Sequence, residues 1–126
     1  MNDPAAPGIE VVEVANCGVI RRFREGWTWV DFNRTVDQMF SILRANSAPL
    51  VIIENMNGTN VPDLHAHPHM RRASILLPTN VRALLIVGAP TFVSSLLPIV
   101  KVVRPRLVVE LVDSEGEAMR RAEALL

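Results

Sequence analysis

Short apolar runs alternate along this chain with longer stretches in which apolar residues return every third or fourth position. The first pattern suits strands and the second suits one buried face of a helix. Ile9 to Val14 is β-branched and predicts a strand. Asn16, Cys17 and Gly18 predict a turn. Val19 to Arg24 predicts a second strand, with Val19, Arg21 and Phe23 on one face. The two strands make a hairpin that Glu25-Gly26 ends. Trp29, Phe32, Val36, Met39 or Phe40, and Leu43 then recur at helical spacing. Thr28 is the expected cap, and Asp31 sets a carboxylate near the helix N-terminus. Trp29 is expected in the core, and Trp27, at the strand–helix junction, partly exposed.

Leu50 to Ile53 is an unbroken apolar run, the pattern of a strand covered on both faces. Glu54 to Asn60 reads as a polar exit loop. Val61 to Leu77 predicts a loop and then a helix, with Met70, Ala73 and Leu77 as its buried stripe and Arg71-Arg72 in solvent. Within it, Asp63 to His67 fits either a helical turn or extended chain. Val81 to Val87 predicts another buried strand. Ala89-Pro90-Thr91 opens a helix with Thr91 as its cap and Phe92, Leu96 and Ile99 or Val100 as its stripe. Pro98 should kink that helix, and a hairpin from Ile99 to Val112 is the alternative. Leu107 to Val112 predicts the last strand. Asp113 or Ser114 caps the last helix, where Ser114 and Glu117 have capping-box spacing. Ala118, Met119, Ala122 and Leu125 form its buried face. The order ββαβαβαβα predicts one α/β domain over residues 9–126, with a mostly parallel central sheet and an opening β-hairpin. The first eight residues, MNDPAAPG, read as a flexible lead-in with none of the features of a signal peptide.

Composition narrows the function. With 126 residues and 49% hydrophobic content, the chain can bury a core unaided. Thirteen basic and thirteen acidic residues cancel, which removes the electrostatic footprint of a nucleic-acid or anionic-lipid binder. The single cysteine, Cys17, excludes an internal disulfide framework and fits a reducing, cytoplasmic setting. Ala83 to Val100 is uncharged and approaches the length of a membrane span. Gly88-Ala89-Pro90 breaks it, so no membrane insertion is expected. Arg21, Arg22 and Arg24 are expected to straddle both faces of an edge strand and to guard that edge against aggregation.

Candidate chemistry is concentrated in one place. His65, His67 and His69 are all the histidines of the chain. In an extended segment the three would point to one side, and in a helix His65 and His69 would stand one turn apart. Either arrangement is a candidate site for a transition metal, with Asp63 as a further ligand. The bland alternative is a polar surface loop. The chain has no Gly-x-Gly-x-x-Gly, no phosphate-binding Gly-rich loop and no Gly-x-Ser-x-Gly, so catalysis and an organic cofactor are not indicated. Glu54 lies at the end of a central strand, where α/β sheets place ligands. That makes Glu54 to Asp63 the expected working surface, although a simply solvated Glu54 is the commoner outcome.

GVIRRFREG, LVIIEN, VRALLIVGAP and VDSEGEAMRRAEAL follow one another in an order that resembles the STAS domain. That is the fold of bacterial anti-sigma-factor antagonists and of sulfate-transporter tails. The resemblance covers about Ile9 to Leu126. It implies a non-catalytic, protein-binding regulatory module of bacterial signalling, with a homodimer as a compatible assembly. Antagonist members carry an Asp-Ser-Ser-Gly element after the central strand, and its serine is phosphorylated. The matching register here is Val61-Pro62-Asp63-Leu64, with Thr59 too early and Ser74 too late, so no equivalent switch is expected. Asp63 is either a permanent negative charge at that helix start or an ordinary cap. Glu54, Asn60, Asp63 and His65 are the expected interaction residues. A third class of function, a carrier of small apolar ligands or lipids, follows from the apolar segment Phe92 to Val103, which would hold a ligand against the sheet.

Overall fold

The computed structural model describes residues 8–62 and 66–126. Five strands form one sheet in the order β1-β2-β3-β4-β5: Ile9–Val14, Gly18–Phe23, Leu50–Asn55, Val81–Val87 and Val108–Val112. β1 and β2 are the antiparallel hairpin, and every later pairing is parallel. The fold is therefore α/β, mostly parallel with an opening hairpin. The helices are α1 (Trp29–Arg44), α2 (Ala66–Leu76), α3 (Thr91–Ser94), α4 (Leu97–Val103) and α5 (Glu115–Leu125). Parallel neighbours joined by right-handed crossovers that always step the same way put every connecting helix on one face. Accordingly α1 to α4 share a face, and α5, which follows the last strand, folds onto the other.

The two faces bury different side chains. Val19, Phe23, Ile52 and Ile86 point toward α1, and Ile20, Val51, Ile53 and Leu85 point toward α5. That is the period-two alternation of a strand covered on both sides. The close start of β2 depends on Gly18. Its φ is +149°, and a Cβ there would stand 1.9 Å from the Val51 carbonyl oxygen.

Capping proceeds as the sequence indicates at α1 and α5. Thr28 and Asp31 form a reciprocal capping box, and Ser114 accepts from the Glu117 amide at 3.1 Å. The segment after β4 differs from expectation. It is two short helices broken at Ser95-Leu96, and Pro90, not Thr91, precedes the first. Pro98 offers no N–H and its ring would meet the carbonyl four residues back, so the chain restarts with Pro98 in the first turn of α4. The buried stripe shifts to Val93, Leu96 and Val100, leaving Phe92 55% exposed. The Ile99–Val112 hairpin does not form. Ala83 to Val100 becomes β4, α3 and the start of α4, and no helix among the described residues is long and apolar enough to cross a membrane.

The tryptophans exchange their expected places. Trp27 is 3% exposed and donates its indole N–H to Thr59 Oγ1 at 3.0 Å, whereas Trp29 is only half-buried. A junction residue can turn fully inward when a buried partner takes its N–H. The arginine expectation also needs correction. β2 lies between β1 and β3 and is not an edge. Arg21 faces the α1 side, Arg22 reaches Glu115 on the α5 side, and Arg24 is past the strand and exposed.

Candidate functional site

The parallel register of β2 and β3 sets Arg21 beside Glu54. Both side chains turn toward α1, into the apolar layer. The Arg21 guanidinium is held on every side. Its Nε donates to Glu54 Oε2 at 2.7 Å, and a terminal nitrogen donates to Glu54 Oε1. The other terminal nitrogen donates to the Phe32 carbonyl at 3.0 Å and to Thr35 Oγ1 at 3.2 Å. The Phe32 ring centroid is 4.2 Å from the guanidinium carbon and that of Phe23 is 5.0 Å away. Arg21 is 1% exposed, and the Glu54 side chain 12%. A strand-end carboxylate at the surface would be merely solvated. This one is spent on a buried, forked ion pair with stacking on both rings.

The pair forms one corner of a cavity of about 80 Å³ between the sheet and the helical layer. Aromatic rings make one wall. Trp27 meets Phe23 edge-on with centroids 5.0 Å apart, and Trp29 edge-on at 5.1 Å. Met39 of α1, Met56 after β3 and Met70 of α2 add flexible thioethers. Among the described residues, Arg21 and Glu54 are the only ionisable ones on the lining.

The helices that cover the cavity are seated unequally. α1 buries Phe32, Thr35, Val36, Met39, Phe40 and Leu43. α2 buries only Ala66 and Ser74 and exposes Ile75 and Leu76. It is held by polar groups at its rim. Arg104 donates to the carbonyls of Ser74, Ile75 and Leu77, and Arg44 donates to that of Leu76. Arg72 bridges to Asp37 of α1 at 3.1 Å.

A second polar cluster lies at the C-terminal ends of the strands. Arg22 donates to both oxygens of Glu115, at 3.0 and 2.7 Å, and Asn55 Nδ2 donates to Glu115 Oε2 at 2.7 Å. The Arg22 hydrogen bond holds the Glu115 carboxyl below its usual range, against partial burial and with Asn55 assisting. The exit loop is tied down. The Met56 amide donates to the Val87 carbonyl and that of Gly58 to Gly88. Asn60 is exposed, and its side-chain amide donates to Glu25 at 3.2 Å. Thr59 is buried beneath Trp27.

Asp63 and His65 lie outside the described residues. His67 and His69 fall within α2, with Pro68 between them in the first turn, where its missing N–H costs nothing. On a helix, residues two apart point about 200° from each other. His67 is exposed, while His69 stacks on Trp29, with centroids 4.6 Å apart and planes 14° apart, and meets Asn33 Nδ2 at 3.0 Å. His67 and His69 therefore do not lie on one side as an extended segment would place them. Among the described residues, no three His, Cys, Asp or Glu side chains group closely enough to hold a metal ion. Cys17 is buried, and burial, then Glu123, pushes its thiol pKa up, the opposite of the shift that activates a cysteine.

Of the residues singled out in the sequence, Glu54 turns inward and Asn60 stays on the surface. Arg21, expected on an edge strand, is buried at the centre of the site. Its signal was its position, between Val19 and Phe23 on the face of β2 that had to be buried. Comparison of the chain with family models, curated proteins and solved structures returns no match.

Proposed function

We propose that this chain is a binding module, not an enzyme, and that its principal site is the cavity between the sheet and α1, α2 and α4. The carrying observation is a space of about 80 Å³ between sheet and helices whose described lining is apolar apart from Arg21, Glu54 and Ser74. Ligand sites are concave, largely apolar and fitted with a few polar groups that fix orientation. A molecule in this cavity would lie against the rings of Trp27 and Phe32 and beneath Met70. Native mass spectrometry of protein purified from its own cell tests the reading. A bound small molecule, lost on denaturation, is the expected result. A bare polypeptide mass, with no thermal stabilisation by any small neutral apolar compound, overturns it.

The STAS-like reading is a second proposal. The strand order with its opening hairpin and the fastened loop Asn55–Asn60 favour it, since a rigid, polar strand-end surface suits a protein partner. Bacterial signalling would be its setting. On this reading Asn60, with Asp63 and His65, would meet the partner, and Glu54 would act only through Arg21. Affinity capture with wild-type protein and with Asn60→Arg is the test. Loss of a specific partner in the variant supports the reading, and identical captures sink it.

A further inference from the structure

We infer that the cavity takes a neutral ligand of about one aromatic ring carrying a single hydrogen-bond donor, and rejects charged molecules of the same size. The inference rests on the cavity being the principal site. It follows from charge, size and the unspent hydrogen-bonding capacity at the polar corner.

Charge comes first. Arg21 and Glu54 neutralise one another and are, among the described residues, the only ionisable groups on the lining. An entering carboxylate or ammonium would leave water and find, among the described residues, no counter-ion that is not already paired. Such an uncompensated charge carries a desolvation penalty large enough to weaken binding on the order of 100-fold or more relative to a neutral analogue. An anion cannot simply take over Arg21, because that would strand Glu54 in the same apolar corner.

Size comes next. An apolar cavity of about 150 Å³ takes one benzene ring. The space here is about 80 Å³, so a ring fits only if a wall yields. The lining supplies the means: Met39, Met56 and Met70 repack readily, and α2 buries just Ala66 and Ser74. The ring-shaped preference comes from Trp27, Phe23 and Phe32, whose faces and edges suit another aromatic ring.

The donor requirement comes last. A carboxylate offers more acceptor sites than the Arg21 fork occupies. Glu54, which lines the cavity, therefore keeps acceptor capacity to spare. Ser74 donates its hydroxyl hydrogen to the Met70 carbonyl at 2.8 Å, so its oxygen too can only accept. A ligand O–H or N–H therefore finds acceptors on the lining in Glu54 and, separately, in Ser74.

The test titrates full-length protein at neutral pH with phenol, toluene, benzoate and benzylammonium, following the indole N–H signals of Trp27 and Trp29 by NMR. Phenol should bind tightest, toluene more weakly, and both ions at least about 100-fold more weakly than phenol. Ala73→Leu, which fills the cavity, should weaken phenol binding at least tenfold. Leu84→Phe fills it from the sheet side and serves if the first variant misfolds. Benzoate or benzylammonium binding as well as phenol overturns the ligand class and leaves the cavity reading standing. Binding of none of the four overturns both. Phenol binding that survives both filling variants places the ligand elsewhere and overturns the inference.

Discussion

The sheet has two covered faces built on opposite plans. On the α5 face, small residues pack closely: Ala118 and Ala122 are 0% exposed and rest against Val51, Ile53, Ala83 and Leu85. On the α1–α4 face, five aromatic rings and three methionines surround a buried ion pair and leave a cavity. Small side chains let a helix approach a sheet without gaps. Rings and long side chains, fixed by edge-on contacts, leave space that no neighbour fills. The contrast separates a face that stabilises the domain from a face with room for something else.

The most disruptive way to probe this contrast is Arg21→Met. It leaves Glu54 buried without its partner, and should cost about 3–5 kcal/mol in urea denaturation. Arg21→Met combined with Glu54→Leu removes both charges and should recover most of that loss. A single variant within about 1 kcal/mol of wild type would mean that the corner is wetter than its geometry indicates.

Adding the same bulk to each face comes next. Ala122→Leu overpacks the α5 face and should cost about 1–3 kcal/mol. Ala73→Leu adds its methyls to the cavity side and should cost less than about 1 kcal/mol or stabilise slightly. Equal losses in melting temperature would erase the distinction between the faces.

Electrostatics at the strand ends should be weaker and should depend on solvent. Glu115 has its folded pKa lowered, first by the Arg22 hydrogen bond. Its stabilising contribution is therefore fully present above the usual glutamate value and is lost as pH falls through the lowered folded value. Glu115→Gln should flatten the acid limb of the stability curve. Added salt should weaken the half-exposed Arg22–Glu115 pair more than Arg21–Glu54. A Glu115→Gln curve parallel to wild type between the lowered folded value and the usual glutamate value would remove the linkage. The smallest effect is expected at Val102, which is widely exposed on α4. Val102→Ser should stay within about 0.5 kcal/mol of wild type.

Most elements were legible because their signals are local. Val81–Val87 is apolar enough to be a strand anywhere, and Thr28, Asp31 and Ser114 cap helices through contacts within one turn. The candidate site was barely legible. Glu54 and the segment after it attracted attention for their place at a strand end, yet the Glu54 carboxylate points inward. The Phe92-to-Val103 segment was expected to hold a ligand against the sheet, and Val93 of α3, Leu96 at the break and Val100 of α4 line the cavity. The histidine run stood out by composition, but helix geometry sends His67 and His69 in different directions.

The sequence by itself determined the order of strands and helices, the opening hairpin, the break at Gly88-Ala89-Pro90 and the absence of any strong charge bias. These depend on backbone preference and periodicity, which act over a few residues. Only the tertiary structure decided that Arg21 is buried, that Trp27 outranks Trp29 in the core and that the α1–α4 face holds a cavity. Each depends on groups brought together across 30 or so positions, as in Arg21–Glu54 and Trp27–Thr59. An arginine in a strand is neutral evidence until a carboxylate arrives beside it in register, and a cavity belongs to no single segment, because it is the space that several elements fail to fill.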